Sequence, residues 1–123
     1  MKMLVNKLVH YDLDLYSETL DNGLIINIVP LKNVNNIYAT FSTKYGSIHD
    51  EFIPIDSDDY YKVPMGVAHF LEHKMFEQEN GKDPFSVFLK NGTDANANTS
   101  NYKTTYLFIG PNKFKENLEF SKK

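Results

Sequence analysis

The sequence predicts an α+β fold in which an antiparallel-rich sheet is packed by helices. Three observations lead to this prediction: a strand–turn–strand pattern near the N-terminus, a helical pattern in the middle, and a second pair of strand-like segments after it. The 123 residues are 41% hydrophobic and 24% charged, a composition typical of a globular chain. We therefore expect residues 1–123 to lie within a single domain.

The first strands are predicted around a tight turn. Residues 12–20, DLDLYSETL, alternate in places between polar and apolar side chains, as a half-buried strand does. The tripeptide DNG at residues 21–23 suits a turn with positive φ, and the β-branched run LIINIVP follows it. A third strand is predicted over 37–47. The acidic segment 49–64 has no visible period, so we predict a loop there.

Two helices are predicted after this loop. The segment GVAHFLEHKMFEQ fills residues 66–78, and the Asn-Gly pair at 80–81 is a typical helix stop. A second short helix is predicted from Pro84, with Asp83 as its N-cap, and ends at the Asn-Gly pair 91–92. Because apolar side chains cover most of the circumference of the first helix, we expect that helix to be buried.

The rest of the chain predicts two strands and the start of a third helix. Residues 93–110, TDANANTSNYKTTYLFIG, contain strand-like runs over 94–99 and 102–109. Residues 111–123 carry an apolar stripe and end in lysines, as a helix can. The predicted order of elements, β-β-β-α-α-β-β-α, belongs to a layered α+β fold.

The first predicted helix carries the motif HFLEH at residues 69–73. His69 and His73 are four residues apart and share one helix face, and Glu72 falls on the same face. Burial of an unpaired carboxylate is unfavourable, and a divalent cation held by two imidazoles offsets it. Glu72 beside the ion can then accept a proton from water as a general base. The alternative is a hydrogen-bonded surface cluster without metal.

Composition and charge restrict the partners and the location. The net charge of -3 provides no field that attracts nucleic acid or anionic lipid, so neither is expected as a partner. The chain has no cysteine, which excludes a disulfide framework and a thiolate zinc site. No apolar run is long enough for a signal-peptide core or a membrane span. We therefore expect a soluble, cytoplasmic protein.

The motif and its flanks resemble a known family. H-x-x-E-H is the inverzincin pattern, and GVAHFLEHKMFE followed by GTDANANTSNYKTTYLF resembles the pitrilysin/insulinase zinc peptidases, peptidase family M16. The bacterial members from low-GC Gram-positive organisms are the most similar, and YSETLDNGLIINIVP resembles the first hairpin of the family. The resemblance implies a metalloendopeptidase of class EC 3.4.24 with a metallohydrolase-like fold, in which His69 and His73 bind zinc and Glu72 is the general base.

The resemblance also implies a substrate-binding strand. Asn96 and Ala97 match the N-A-x-T element of the family, an edge strand that holds an extended peptide by β-augmentation. The alternative for Asn96 is an ordinary turn residue, since asparagine is common in turns. Thr104 and Tyr106 match a T-x-Y element to which we assign a structural role.

The chain departs from the family pattern in its metal ligands. A catalytic zinc ion takes three protein ligands and a water molecule, and the family supplies the third from a glutamate roughly seventy to eighty residues after the second histidine. That position lies beyond Lys123, and Glu116 and Glu119 follow the motif too closely. We therefore expect the first part of an M16-type domain, truncated before its third ligand.

Two functions remain open at this point. The first is zinc-dependent proteolysis of peptides bound in extended form, with activity that is incomplete in this chain alone. The second is an inactive peptidase-like fragment or subunit that binds a peptide or a partner. The resemblance makes a second M16-like chain, or C-terminal domains beyond this one, plausible partners.

Overall fold

The structure is a computed structural model that describes residues 3–54, 56–75, 84–111, 114, 115 and 118. The chain folds into two compact units, Met1–Asn35 and Asn36–Lys123. Two predicted features, the helix stop at 80–81 and the N-cap at Asp83, lie outside the described residues. The prediction of a third helix over 111–123 falls mostly outside them as well.

The first unit is a three-stranded antiparallel sheet with one turn of 3-10 helix. Its elements are β1 (Leu4–Leu8), the 3-10 turn (Val9–Tyr11), β2 (Leu13–Thr19) and β3 (Ile25–Ile28), and β2 is the central strand. The hairpin between β2 and β3 confirms the predicted strand–turn–strand pattern. Gly23 has a φ of +83° in that turn, a conformation that glycine adopts without steric penalty.

The second unit combines a three-stranded antiparallel sheet with two helices and a short strand pair. Its elements are β4 (Ile37–Thr43), β5 (Glu51–Phe52), β6 (Tyr61–Lys62), α1 (Val67–Met75), α2 (Pro84–Lys90), β7 (Asp94–Thr99) and β8 (Thr104–Gly110). The sheet has the order β4-β8-β7, and β5 pairs only with β6 among the described strands. The observed architecture confirms the predicted antiparallel-rich α+β fold.

The core of the second unit lies between its helices and β7 and β8. Ala68 of α1, Phe88 of α2 and Phe108 of β8 are buried. The rings of Phe88 and Phe108 stack with centroids 6.3 Å apart, and Phe114 packs against Phe108 at 5.8 Å. Because α1 and α2 both contact β7, this strand fixes where the side chains of α1 lie relative to the sheet.

The prediction that the first helix is buried is wrong for its described residues. Only Ala68 and Glu72 of α1 are buried, whereas Phe70 and Met75 are 59% and 58% exposed. The physical reason is that a helix contacts a three-stranded sheet with one face, and the rest of its apolar circumference is left outside that contact.

Two further predictions differ from the structure. The third strand ends at Thr43 rather than at residue 47, and the segment predicted as a loop contains the β5–β6 pair. Lys62 of β6 forms an ion pair with Glu51 of β5 at 2.9 Å, and this contact raises the pKa of Lys62. Strands of two residues are too short to show a period of two, so the sequence pattern could not reveal them.

Both helices are short compared with a membrane span. A helix needs about 20 apolar residues to cross the hydrocarbon core of a bilayer. Helix α1 has nine residues and α2 has seven. Accordingly, no helix in the described part of the chain is long and apolar enough to cross a bilayer.

Candidate metal centre

Helix α1 brings the three residues of the motif together. One ligand atom each from His69, Glu72 and His73 can be chosen so that all lie within 4.8 Å of one another. The helix period alone produces this cluster, because residues three and four apart share a face. Their environments differ: both histidines are exposed, whereas Glu72 is only 8% exposed.

The two imidazole rings are directed toward each other. The Nε2 atoms of His69 and His73 are 3.1 Å apart, with ring centroids 4.8 Å apart and planes inclined by 42°. Two nitrogen ligands of a tetrahedral zinc ion lie about 3.3 Å apart, since each Zn–N distance is about 2.0–2.1 Å. The observed spacing therefore fits two ligands of one ion. A hydrogen bond between one protonated and one unprotonated Nε2 gives a similar distance.

The carboxylate of Glu72 is held from the sheet side. The hydroxyl of Thr99, at the end of β7, donates a hydrogen bond to Glu72 Oε2 at 2.6 Å. Such a short bond to a charged acceptor contributes about 1.5–3 kcal/mol and offsets part of the penalty of burying the carboxylate. Burial, and secondly the negative charge of Glu72, raise the pKa of the Tyr106 hydroxyl.

Thr99 itself is fixed by the turn between β7 and β8. The carbonyl oxygens of Ser100 and Asn101 accept hydrogen bonds from the backbone N–H groups of Ser47 and Ile48, at 3.0 and 3.2 Å. A Cβ atom on Gly46 would lie 2.5 Å from the carbonyl oxygen of Ser100, so only glycine allows this close approach of the two segments.

Buried Thr104 forms the next contact in this region. Its hydroxyl donates to the carbonyl oxygen of Tyr45 at 2.8 Å, and its oxygen lies 3.3 Å from that of Thr99. The interactions of Thr104 link β8 to the segment after β4, which agrees with the structural role predicted for this residue.

The other two predicted site residues lie on β7, the edge strand of the β4-β8-β7 sheet. Just beyond the ends of β7 and β8, the backbone N–H of Ser100 donates to the carbonyl oxygen of Lys103 at 2.9 Å. In an antiparallel pair, residues that exchange hydrogen bonds alternate with residues that do not, so the hydrogen-bonded positions of β7 are every second residue counted back from Ser100. By this alternation the backbone N–H and C=O groups of Ala95, Ala97 and Thr99 point away from β8, toward the outer edge. The side chain of exposed Asn96 occupies one of these groups, because its Oδ1 accepts the Ala97 N–H at 2.8 Å.

The structure thus places Asn96 and Ala97 on the strand against which α1 packs. Thr99 was not predicted from the sequence as part of the site. A signal was available, since Thr99 is the threonine of the N-A-x-T element, but the position of its hydroxyl depends on the packing of α1 against β7.

His69, Glu72 and His73 are the only cluster of three or more potential ligands in the described part of the chain. Glu116 and Glu119 lie outside it.

Comparisons with known proteins agree with this fold. The sequence model of the insulinase family, peptidase family M16, matches residues 58–120. YmfH of Bacillus subtilis (strain 168), described as an uncharacterized zinc protease, is 48% identical over 105 residues, which are 85% of this chain and 24% of YmfH. The crystal structure of an M16-like peptidase from Alicyclobacillus acidocaldarius matches with a TM-score of 0.76 at 33% identity, over 88% of this chain and 25% of that chain.

The fold is that of M16-like peptidases, and the histidine–glutamate cluster lies on helix α1 of this fold. The chain belongs to the insulinase family, peptidase family M16. Membership of a family with zinc proteases implies zinc as the metal, in agreement with the grouping of His69, Glu72 and His73. The chain spans about a quarter of the length of both relatives.

Proposed function

We propose that this chain forms the metal-binding and proton-transferring part of a zinc endopeptidase of the inverted H-x-x-E-H type, class EC 3.4.24. The observation that carries the proposal is the convergence of two imidazoles and one carboxylate within 4.8 Å on a single helix turn. The 3.1 Å between the two Nε2 atoms supports their assignment as ligands of the same ion.

Each residue of the cluster has a separate role in the proposed mechanism. His69 and His73 would hold zinc through their Nε2 atoms, and zinc when bound supplies Lewis-acid activation of water and of the peptide carbonyl. Glu72 accepts a proton from the attacking water and later donates it to the nitrogen of the leaving amine. The hydrogen bond from Thr99 holds the carboxylate in place for both transfers.

The outer edge of β7 is the proposed binding site for the substrate. An extended peptide can pair with the outward N–H and C=O groups of Ala97 and its neighbours, which extends the sheet by one strand. The side chain of Asn96 is released from the Ala97 N–H when the peptide carbonyl takes this donor, and its amide then becomes available to the peptide backbone. Asn96 and Ala97 are therefore the proposed substrate-binding residues.

A second function is supported by the number of ligands. A catalytic zinc ion needs three protein ligands, and with Glu72 as the base the described cluster supplies two. A peptidase-like subunit or fragment that binds peptides without cleaving them remains the alternative.

For catalysis we propose that the third ligand comes from a polypeptide outside these residues, either further domains or a second M16-like chain. The cysteine-free composition suits the reducing cytoplasm, where we place this activity.

Glu72→Gln tests the proposal. In the presence of the polypeptide that carries the third ligand, we expect the zinc-loaded chain to hydrolyse an unstructured peptide, and Glu72→Gln to lower kcat by about 10²–10⁴ because the amide cannot accept the proton. Glu51→Gln is the matched control, since Glu51 is an exposed glutamate whose partner is Lys62, and we expect it to retain full turnover. Equal turnover of wild type and Glu72→Gln would exclude Glu72 as the base. Zinc-dependent peptide binding without hydrolysis in all variants would instead identify the binding module.

A further inference from the structure

We propose that Thr99 is the positioning residue for Glu72: its hydroxyl fixes the carboxylate on the sheet side and determines which carboxylate oxygen exchanges the proton. This inference rests on the proposed function, because it assigns Thr99 a task in the proton transfer by Glu72. It draws on contacts between α1 and the end of β7, which lie 27 residues apart in sequence.

The direction of each hydrogen bond follows from a count of donors. A threonine hydroxyl has one proton to donate. The hydroxyl proton of Thr104 is directed to the carbonyl of Tyr45 at 2.8 Å, and that of Thr99 to the carboxylate of Glu72 at 2.6 Å. The 3.3 Å contact between the two threonine oxygens is then a van der Waals approach, since both protons are already used. Thr99 is therefore a donor toward Glu72.

This direction distinguishes the two oxygens of Glu72. While Thr99 donates to Oε2, a proton that Glu72 takes up goes to Oε1. The backbone around Thr99 is held by the bonds of Ser100 and Asn101 to the segment after β4, so the donor is fixed before substrate arrives. A general base that is held in one orientation needs no reorganisation during the reaction.

The loss of the hydroxyl has a defined consequence. Valine at position 99 has nearly the shape of threonine but no donor, so Glu72 Oε2 would lose its bond in a buried environment. The carboxylate would rotate toward water, away from the position required for proton transfer. Both proposed zinc ligands lie on α1, and Thr99 bonds to Glu72, which is the base and not a ligand. We therefore expect Thr99→Val to change the zinc affinity by less than about twofold.

A double-mutant cycle on the metal-free chain tests the interaction independently of activity. We expect Thr99→Val to lower Tm by about 5 °C or more, and Thr99→Ser, which keeps the donor, to retain most of the stability. In the Glu72→Ala background the effect of Thr99→Val should fall to less than about half, since the acceptor is absent. Thr105→Val is the matched control, because the Thr105 hydroxyl bonds to Ser42 and should show no coupling to Glu72.

Turnover of the zinc-loaded chain, assayed together with the polypeptide that carries the third ligand, provides the second readout. We expect Thr99→Val to lower kcat by about 10–100-fold with little change in KM, and Thr99→Ser to restore it. An equal Tm shift for Thr99→Val with and without Glu72, or serine that performs no better than valine, would overturn the inference. Full turnover of Glu72→Gln would instead overturn the proposed function, while the thermal cycle would still decide whether Thr99 holds Glu72.

Discussion

At the residue scale, the three motif residues are buried in the opposite order to the one that their polarity predicts, because a glutamate is ordinarily more exposed than a histidine. The carboxylate of Glu72 is buried and the imidazoles of His69 and His73 are exposed. A proposed base that is shielded from bulk water keeps a defined partner in Thr99, and proposed ligands that face outward remain accessible to an ion. This arrangement suits the proposed division of roles between proton transfer and metal binding.

The sequence predicted the cluster but not its support. The spacing of His69, Glu72 and His73 determines their common face because the helix period is fixed. The hydroxyl of Thr99 reaches Glu72 only through the packing of α1 on β7, and no local pattern encodes that packing. The environment of Tyr106 depends on the same packing, and for this reason it could not be predicted from the T-x-Y element.

The pKa of Tyr106 provides a test of this environment. Burial, and then the negative charge of Glu72, raise it above its ordinary value of 10.0. We expect Glu72→Gln to lower the pKa of Tyr106, because the neutral amide no longer disfavours the phenolate, while burial keeps it above the ordinary value. An NMR titration of the Tyr106 ring measures the shift, with Glu51→Gln as a control of the same charge change. A Tyr106 pKa that is equal in wild type and Glu72→Gln would contradict this placement.

At the element scale, the outer edge of strand β7 is the feature that bears on the proposed function. Exposed edges invite pairing with other chains, and proteins block them with local devices. The Oδ1 of Asn96 is such a device here, because it occupies the Ala97 N–H that points away from β8. In the proposed function a peptide carbonyl replaces Oδ1 as the acceptor of this N–H, so the edge is protected without substrate and accepts a peptide when one is present.

Asn96→Ala tests this protective role. Loss of one net hydrogen bond at the edge, about 1 kcal/mol, should lower the concentration for half-maximal self-association by about fivefold. Static light scattering of the metal-free chain measures this concentration. Asn98→Ala is the matched control, since Asn98 is also exposed and holds an equivalent position on β7, opposite Thr105 of β8, whereas the Ala97 N–H is occupied by Asn96. Equal association of the two variants would exclude a special role for Asn96.

The strands and helices were largely predictable from local patterns. The hairpin of β2 and β3, strand β4 except for its end, both helices, β7 and β8 all follow from period and turn chemistry. The N-terminal strand β1 was not predicted, since LVNKL is short and has four exposed residues of five. Strand order could not be predicted either, because the pairing of β4 with β8 joins segments far apart in sequence.

At the scale of the whole molecule, the chain carries the histidine–glutamate cluster on one helix turn and spans about a quarter of the length of its relatives. The second unit places the cluster, the support from Thr99 and the outer edge of β7 on adjacent elements, α1 and β7. In the proposed function these features bind one ion through two nitrogens. Full catalysis requires a further ligand in the proposed account.

Zinc titration of the whole chain tests the central claim most directly, by calorimetry on wild type, His69→Ala, His73→Ala and Glu72→Gln. We predict that wild type and Glu72→Gln bind one ion with similar affinity, since Glu72 is the base and not a ligand. Each histidine variant should bind at least about tenfold more weakly, because one of two nitrogen ligands is lost. Undiminished binding in both histidine variants would contradict the account.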